Sequence, residues 1–121
     1  VYRVPIKRRA ASTPVIDVTF NGSQTFEMIV DTGASGTVIT ADMANALGVR
    51  IIGKTKVNTA SQSGVEVPLA FVDSILVGGA VVKEVIVAIG NSALDIGLLG
   101  HDFFGDFDVT VKQDVVEFRR R

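Results

Sequence analysis

Short apolar stretches alternate with turn residues along most of the chain, at a spacing typical of β-strands. Val and Ile are abundant in these stretches, and β-branched side chains favour extended structure. The pattern predicts strands over Pro14–Phe20, Thr25–Val30, Thr37–Ile39, Lys54–Thr59, Val65–Val77, Val81–Ile89, Phe107–Val111 and Val115–Phe118, with a further apolar segment at Val1–Ile6. We therefore expect an all-β fold.

Turn signals divide these strands into hairpins. Asn21-Gly22 is the strongest, since Asn-Gly between two β-runs favours a tight hairpin turn. Ala60–Gly64 separates the arms of a second hairpin, and Gly78-Gly79 reverses the chain again. The segment from Lys112 to Asp114 is the predicted turn between the last two strands.

Two short helices interrupt the β-pattern. Ala41–Leu47 is preceded by Thr40, a residue type that caps helix N-termini, and followed by Gly48, the residue type preferred after a helix ends. His101–Phe104 is predicted as a helical turn that Asp102 caps. We expect its aromatic residues and the nearby Phe107 to lie in the core.

An internal echo is also present. Gly22 precedes Asp31 by nine residues and Gly33 follows two later, while Gly79, Ala88 and Gly90 repeat this spacing. An ancient duplication and a chance likeness of two hairpins explain it equally well. The second copy in this alignment has no aspartate.

Length, charge and composition exclude several classes of protein. The 121 residues suffice for a single domain, 1–121, with a hydrophobic core, and a net charge of -1 argues against a dedicated nucleic-acid binder. The basic runs Lys7–Arg9 and Arg119–Arg121 are predicted to be solubilising tails. No apolar run approaches the roughly 18 residues that span a bilayer, so we expect no membrane contact by this segment.

The chain starts at Val1 without a Met and is interpreted as a domain cut from a longer protein. A membrane anchor outside the segment is left open, and with it the localisation. The sequence contains no Cys and one His, so thiolate chemistry is excluded and no standard metal-ligand spacing is found. We expect neither a metal nor a cofactor.

The clearest chemical signal is Asp31, which ends the apolar run Met28–Val30 and precedes small residues. Burying a lone carboxylate costs several kcal/mol unless it is paired or protonated. Asp31 is either a turn residue whose side chain caps its own loop, or a functional group. Two facing carboxylates that share a proton can activate water, one as general base and the other as proton donor.

Two motifs carry a family resemblance. Val30-Asp31-Thr32-Gly33-Ala34-Ser35 with Val38-Ile39 resembles the active-site motif of aspartic proteases. Leu98-Leu99-Gly100-His101-Asp102-Phe103-Phe104 resembles the second signature of the retroviral-type branch. The resemblance implies a retropepsin-like acid-protease barrel, and the helix at Ala41–Leu47 is more similar to cellular and bacterial single-domain relatives than to viral enzymes.

The resemblance also implies a homodimer, because this chain carries one Asp-Thr-Gly where larger relatives carry two. Asp31 would be catalytic and would pair with Asp31 of a second copy. Thr32 and Gly33 would support the loop, the first across the dimer axis and the second toward substrate backbone. Residues implied to contact a peptide substrate are Ile29, Ala34, Ser35, Val38, Leu98 and a flap at the hairpin tip formed by Thr59, Ala60, Ser61, Gln62, Ser63 and Gly64.

Gly100, His101 and Asp102 are implied to support the structure and the dimer. Retroviral enzymes usually carry Asp or Asn where Ser35 stands and Arg where His101 stands, and these side chains form an ion pair. Both positions are changed here. The family's chain termini interleave between subunits, and the terminal segments of this chain allow either that arrangement or an edge strand within one monomer.

The predicted function is an aspartic endopeptidase that hydrolyses peptide bonds with activated water. Its activity should fall when rising pH removes the shared proton. The alternative is a non-catalytic dimerisation or peptide-binding module with the same fold.

Overall fold

The computed structural model describes residues 1–57 and 63–121. The described segments form β1 (Tyr2–Pro5), β2 (Arg8–Ala10), β3 (Thr13–Phe20), β4 (Gln24–Val30), β5 (Val38–Ile39), α1 (Ala41–Leu47), β6 (Ile51–Val57), β7 (Val65–Val77), β8 (Ala80–Ile89), β9 (Gly97–Leu99), α2 (His101–Phe104), β10 (Phe107–Val111) and β11 (Val115–Arg120). The all-β prediction is confirmed. The arm predicted to end at Thr59 is described as far as Val57.

One large sheet closes on itself. Its strands lie in the order β2-β3-β4-β9-β5-β8-β7-β6, and an additional antiparallel pairing joins β3 to β7. The predicted turn at Asn21-Gly22 is confirmed: both residues have positive φ, and the Ser23 N–H bonds to the Phe20 carbonyl at 3.1 Å. This geometry matches the twist of the strands that the turn connects. The turn predicted over Ala60–Gly64 lies largely outside the described residues.

Helix α1 has the caps that its flanking residues predict. The Thr40 side chain accepts a hydrogen bond from the Met43 N–H at 3.0 Å. Gly48 ends the helix with φ 65°, and its N–H bonds to the carbonyls of Ala44 and Asn45. These bonds satisfy backbone groups that a helix end leaves unpaired.

Two halves of the sheet repeat each other. β4 pairs in parallel with β9, β8 pairs in parallel with β5, and β5 and β9 cross antiparallel where Val38 faces Leu98. Each short strand leads directly into a helix, α1 at Ala41 and α2 at His101. Strand β5 and helix α1 are therefore matched by β9 and α2 sixty residues later.

The repeat extends to the loops, where it corrects the alignment of the internal echo. The Gly33 N–H bonds to the Asp31 carboxylate at 3.1 Å, and the Ala93 N–H bonds to the Asn91 side-chain oxygen at 2.9 Å. Both are turns closed by an Asx side chain two residues before the amide. The Asx turn matches Asp31 with Asn91, whereas the bond from the Gly90 N–H to the Ile39 carbonyl matches the bond from the Asp31 N–H to the Leu99 carbonyl. The second loop is thus shifted by one residue relative to its strand, and neither Gly90 nor Asn91 carries an acid.

A separate three-stranded sheet, β1-β11-β10, packs on α2 through an aromatic cluster. Phe103 stacks on Phe107 with ring centroids 5.3 Å apart, and Phe104 stacks on Phe118 at 5.8 Å. All four rings are at most 2% exposed, so the prediction of Phe103, Phe104 and Phe107 as core residues is confirmed. Burying rings of this size contributes strongly to stability and fixes α2 on the terminal sheet.

The basic runs are not tails. Arg8 lies in β2, and its Nη2 is 3.0 Å from Glu27, while Lys7 lies within 3.4 Å of Asp17. The turn into β3 places Ala11 and Ser12 at positive φ, a conformation that neither residue type signals. The second run belongs largely to β11, where Arg120 lies over the Phe107 ring at 4.8 Å.

The chain termini pair within one copy. Tyr2 faces Phe118 and Pro5 faces Val115 in an antiparallel β1–β11 ladder. Interleaving of these strands between subunits would require the ladder to open. In the single copy that the structure contains, β1 thus pairs with β11 of its own chain.

The Arg3–Glu117 ion pair between β1 and β11 should make the stability of the terminal sheet depend on pH. Arg3 Nε is 2.7 Å from the Glu117 carboxylate, and this hydrogen bond, together with Lys112, holds the pKa of Glu117 below its ordinary value. A group with a lowered folded-state pKa contributes stability that is present above its unfolded-state pKa and is lost as pH falls through the folded-state pKa.

We therefore expect Glu117→Gln to lower the melting temperature at neutral pH and to match the wild type once the pH lies below the pKa of Glu117. Thermal unfolding of both proteins between pH 7 and pH 3 tests this, with Glu66→Gln as a control on another sheet. An equal difference at every pH would show that the ion pair does not couple to stability.

Candidate active site

Asp31 begins a tight loop at the carboxyl end of β4. Its N–H bonds to the Leu99 carbonyl at 3.0 Å, which anchors the loop to β9. Its carboxylate accepts the Gly33 N–H at 3.1 Å, and its carbonyl accepts the Ala34 N–H at 3.1 Å. The carboxylate is partly exposed, and the following Thr32 and Gly33 are exposed. The chain thus holds one acid in a defined orientation without burying it.

A buried threonine ties this loop to α2. The Thr37 N–H donates to Asp102 Oδ2 at 2.8 Å, and the Thr37 hydroxyl donates to Asp102 Oδ1. The same hydroxyl accepts the Gly100 N–H at 3.1 Å. Thr37 is 1% exposed, so these bonds are made away from water. Asp102 was expected to cap α2, but both its oxygens instead bind the active-site loop.

Gly100 allows the loop and α2 to approach closely. A Cβ at this position would lie 2.6 Å from the Gly36 carbonyl and 2.9 Å from the Ala34 carbonyl oxygen. Any side chain would push the two segments apart. The next residue, His101, donates its N–H to the Ala34 carbonyl at 2.9 Å.

The His101 ring makes a second contact with the loop. Its Nε2 is 2.6 Å from the Thr32 carbonyl oxygen, and because a carbonyl only accepts, Nε2 must carry the hydrogen. The ring also meets Phe104 edge to face at 6.4 Å. His101 therefore supports the loop through Thr32, and the structure shows no hydrogen bond between its ring and Ser35.

Two adjoining cavities lie beside the loop. The first has a volume of about 430 Å³ and is mainly apolar, with Val38, Leu98 and Ala88 next to residues of the hairpin arms β6 and β7. The second, about 490 Å³, is lined by the loop itself from Gly33 to Val38. Since both include Val38, Val57 and Ala88, they form one cleft that starts two residues after Asp31.

Comparison with known proteins identifies the family of this chain. The family model described as "gag-polyprotein putative aspartyl protease" matches residues 16–106, three quarters of the chain. The chain belongs to the retropepsin-like aspartyl protease family.

A solved structure shares the fold. The crystal structure of a retropepsin-like aspartic protease from Rickettsia conorii matches with a TM-score of 0.73 and 22% sequence identity, over 96% of this chain and 89% of that one. The search of curated proteins found no match. At this identity the structural match shows the fold, and the family rests on the sequence.

Several residues expected to contact substrate in this retropepsin-like chain line the cleft. Val38 and Leu98 border the first cavity, and Ala34 and Ser35 border the second. Ile29 lies half-buried in β4 opposite Leu98 and is not among the residues lining either cavity. Thr59, Ala60, Ser61 and Gln62 lie outside the described residues, whereas Ser63 and Gly64 are described and exposed.

The residues on the hairpin side of the cleft were not predicted as site residues. Val57, Val65 and Val67 line the first cavity, together with Ala93 and Leu94. The valines occupy alternate positions of paired arms and therefore point to one face, a signal visible in the sequence. Thr37 was not predicted either, because no signal in the neighbouring sequence indicates that its hydroxyl bonds to Asp102.

Among the described residues, no group of three or more His, Cys, Asp or Glu side chains is arranged to hold a metal ion. The same residues include no helix of the length and apolarity needed to cross a membrane.

The contributions of Thr37 and Asp102 to the free energy of unfolding should be coupled. Asp102→Ala leaves the buried Thr37 donors without their acceptor, and we expect the free energy of unfolding to fall by about 1–3 kcal/mol. Thr37→Val removes the hydroxyl itself, so the double variant should lose less than the sum of the single variants. Urea denaturation measures all three.

Asp42→Ala is the matched control, since Asp42 occupies the corresponding position of α1 and is exposed. Its effect should be small. Strict additivity of the Thr37 and Asp102 substitutions would contradict the role assigned to the link.

Proposed function

We propose that this chain is an aspartic endopeptidase whose site is completed by a second copy. The observation that supports the proposal most directly is the Asp31 carboxylate, which accepts the Gly33 N–H in a loop beside an apolar cleft. One carboxylate is half of the required pair. The two internal positions that match Asp31, Gly90 by its strand bond and Asn91 by its turn, carry no acid, so in this proposal the second carboxylate comes from another chain.

The loop is suited to such a pairing. Thr32 and Gly33 are exposed on one copy, and the loop behind them is fixed by Thr37 and His101. In the proposed dimer, Thr32 supports the loop across the axis and Gly33 faces the substrate backbone. Two carboxylates brought this close cannot both ionise readily, and one retains a proton.

The pair then hydrolyses a peptide bond in two steps. The ionised Asp31 takes a proton from water as the water oxygen attacks the carbonyl carbon, and the protonated Asp31 of the other copy gives its proton to the carbonyl oxygen. The resulting gem-diol collapses as the Asp31 that took a proton from water gives it to the amide nitrogen and the other Asp31 takes a proton from a gem-diol hydroxyl, and the C–N bond breaks. The reaction consumes one water molecule for each peptide bond, and no covalent enzyme intermediate forms.

The cleft provides the binding surface for the substrate. Val38, Leu98 and the valines of the hairpin arms form an apolar wall suited to hydrophobic side chains near the cleaved bond. The tip of the hairpin, from Thr59 to Gly64, closes over the peptide as a flap in this proposal. Closure would exclude bulk water and strengthen electrostatic interactions at the carboxylates.

Replacing the carboxylate should abolish cleavage while preserving the fold. We expect Asp31→Asn to cut no peptide in a mixed library between pH 4 and pH 8 under conditions where the wild type does, as read by mass spectrometry. Asparagine keeps the side-chain oxygen that accepts the Gly33 N–H, as Asn91 shows in the second loop. If neither protein cleaves at concentrations where the chain dimerises, the non-catalytic alternative is favoured.

Dependence on two copies gives a second prediction. The specific activity of the wild type should rise with enzyme concentration and level off once dimers dominate. Adding excess Asp31→Asn protein should suppress that activity, since mixed dimers carry one carboxylate. The double variant Asp31→Asn with Thr32→Ala, which lacks the proposed cross-axis contact, should suppress it less. Specific activity that is independent of concentration would exclude the shared site.

A further inference from the structure

A single peptide group joins the His101 ring to the Asp31 carboxylate. On one side of this group, the His101 Nε2 lies 2.6 Å from the Thr32 carbonyl oxygen. On the other side, the Gly33 N–H donates to the Asp31 carboxylate at 3.1 Å. The carbonyl and the N–H of a trans peptide bond lie in one plane and point in opposite directions. A donor that holds the Thr32 carbonyl therefore also directs the Gly33 N–H toward Asp31.

The two hydrogen bonds of this peptide group reinforce each other. A hydrogen bond accepted by a carbonyl polarises the peptide group, and the N–H of that group becomes a better donor. The bond from the Gly33 N–H in turn favours the ionised form of the Asp31 carboxylate, since the charged form accepts it more strongly. The donor on the Thr32 carbonyl thus acts on the ionisation of Asp31 without touching the carboxylate.

Histidine is a donor whose charge changes with pH. The imidazole of His101 keeps its Nε2 hydrogen in both charge states, because the second proton binds at Nδ1. The contact with Thr32 therefore persists when the ring is protonated, but a charged donor makes a hydrogen bond roughly twice as strong as a neutral one. His101 is exposed, so protons from the solvent can reach the ring. The arginine that the family resemblance implies at this position is always charged and cannot vary in this way.

We infer that His101 is a positioning residue that couples its own charge to the Asp31 carboxylate through the peptide group between Thr32 and Gly33. A charged ring strengthens the bond from Gly33 and favours the ionised carboxylate, whereas a neutral ring allows the carboxylate to retain a proton. The consequence for cleavage rests on the proposed function, in which one carboxylate is ionised and the other is protonated. His101 then favours the first state at low pH and the second at higher pH, which widens the pH range of cleavage.

Other charged groups near His101 leave the Thr32 carbonyl as the polar partner of its ring. The loop, α2 and the strands packed on α2 carry Asp31, Asp102, Asp106, Asp108, Glu117, Arg119 and Arg120. Asp102 is bound by Thr37, and Asp108 and Glu117 pair with basic residues of the terminal segments. Among the described residues, the ring contacts the Thr32 carbonyl and Phe104.

NMR titration of the wild type tests the coupling directly. The sequence contains one histidine, so in a protein without an affinity tag the ring signals belong to His101. We expect the Thr32 carbonyl carbon and the Gly33 amide to shift at the midpoint of the ring titration, in addition to their response to Asp31. Ala93 is the matched internal control, since its N–H closes the same turn on Asn91 in a loop without histidine. The Ala93 amide should not follow the ring.

The substitution His101→Gln separates the donor from its charge. Glutamine presents a side-chain N–H in place of Nε2 but takes up no proton in this pH range. The Gly33 amide of this variant should lose the step at the midpoint of the ring titration and keep the response to Asp31. A Gly33 amide that follows Asp31 alone in the wild type would overturn the coupling, and this result does not depend on whether the variant folds. Identical Gly33 titrations in the two proteins would overturn it as well.

Peptide cleavage gives a second, separate measurement. The ratio of kcat/KM at pH 4 to kcat/KM at pH 7 should be about two- to threefold higher in the wild type than in His101→Gln, because only the wild type has a charged donor at low pH. A purely structural role of His101 would lower both values equally. Coupled NMR titrations without any cleavage would support the coupling and contradict the proposed function. Cleavage with equal ratios in the two proteins and a Gly33 amide that ignores the ring would overturn the coupling and leave the protease.

Discussion

The bond between Thr37 and Asp102 joins the two parts of the molecule on which the candidate site depends. One carboxylate accepts both the N–H and the hydroxyl of a threonine that is almost completely buried, and the hydroxyl in turn accepts the Gly100 N–H. A buried donor left without its acceptor costs the full desolvation of that group, so the link resists local opening. It holds the Asp31 loop against α2, and α2 against the terminal sheet.

The internal repeat is consistent with the proposal that one chain carries one of two catalytic carboxylates. Equivalent strands, loops and helices recur sixty residues apart, and the two loops share the same Asx-type turn. A carboxylate and an amide can both accept the hydrogen bond that closes this turn, so the turn itself does not select between them. Only the acid can take a proton from water. In the proposed protease the chemistry therefore lies at Asp31, whereas Asn91 closes its own turn and lines the cleft.

The loop that carries Asp31 is supported from within its own chain. Within the family that the sequence identifies, the expected ion pair between positions 35 and 101 is absent here, since Ser35 and His101 stand there. His101 instead supports the loop of its own copy through the Thr32 carbonyl.

Much of the fold and the centre of the site follow from local sequence. Asn21-Gly22 determines a tight turn because both residues tolerate positive φ, and Thr40 with Gly48 bounds α1 because each satisfies free backbone groups. Asp31 stands out because a charged residue ends an apolar strand. These signals act over a few residues and need no knowledge of distant neighbours.

Tertiary structure decided what depends on partners far apart in the chain. The run Lys7–Arg9 was predicted to be a polar tail, yet Arg8 and Arg9 belong to β2. A turn at Ala11 and Ser12 that the sequence does not signal reverses the chain, and Lys7 and Arg8 then meet Asp17 and Glu27 on β3 and β4. Asp102 binds Thr37 across 65 positions instead of capping its own helix. The terminal strands pair within one copy because β11 lies beside β1. Hydrogen bonds and ion pairs at such separations arise only when the sheet closes, and local sequence does not record them.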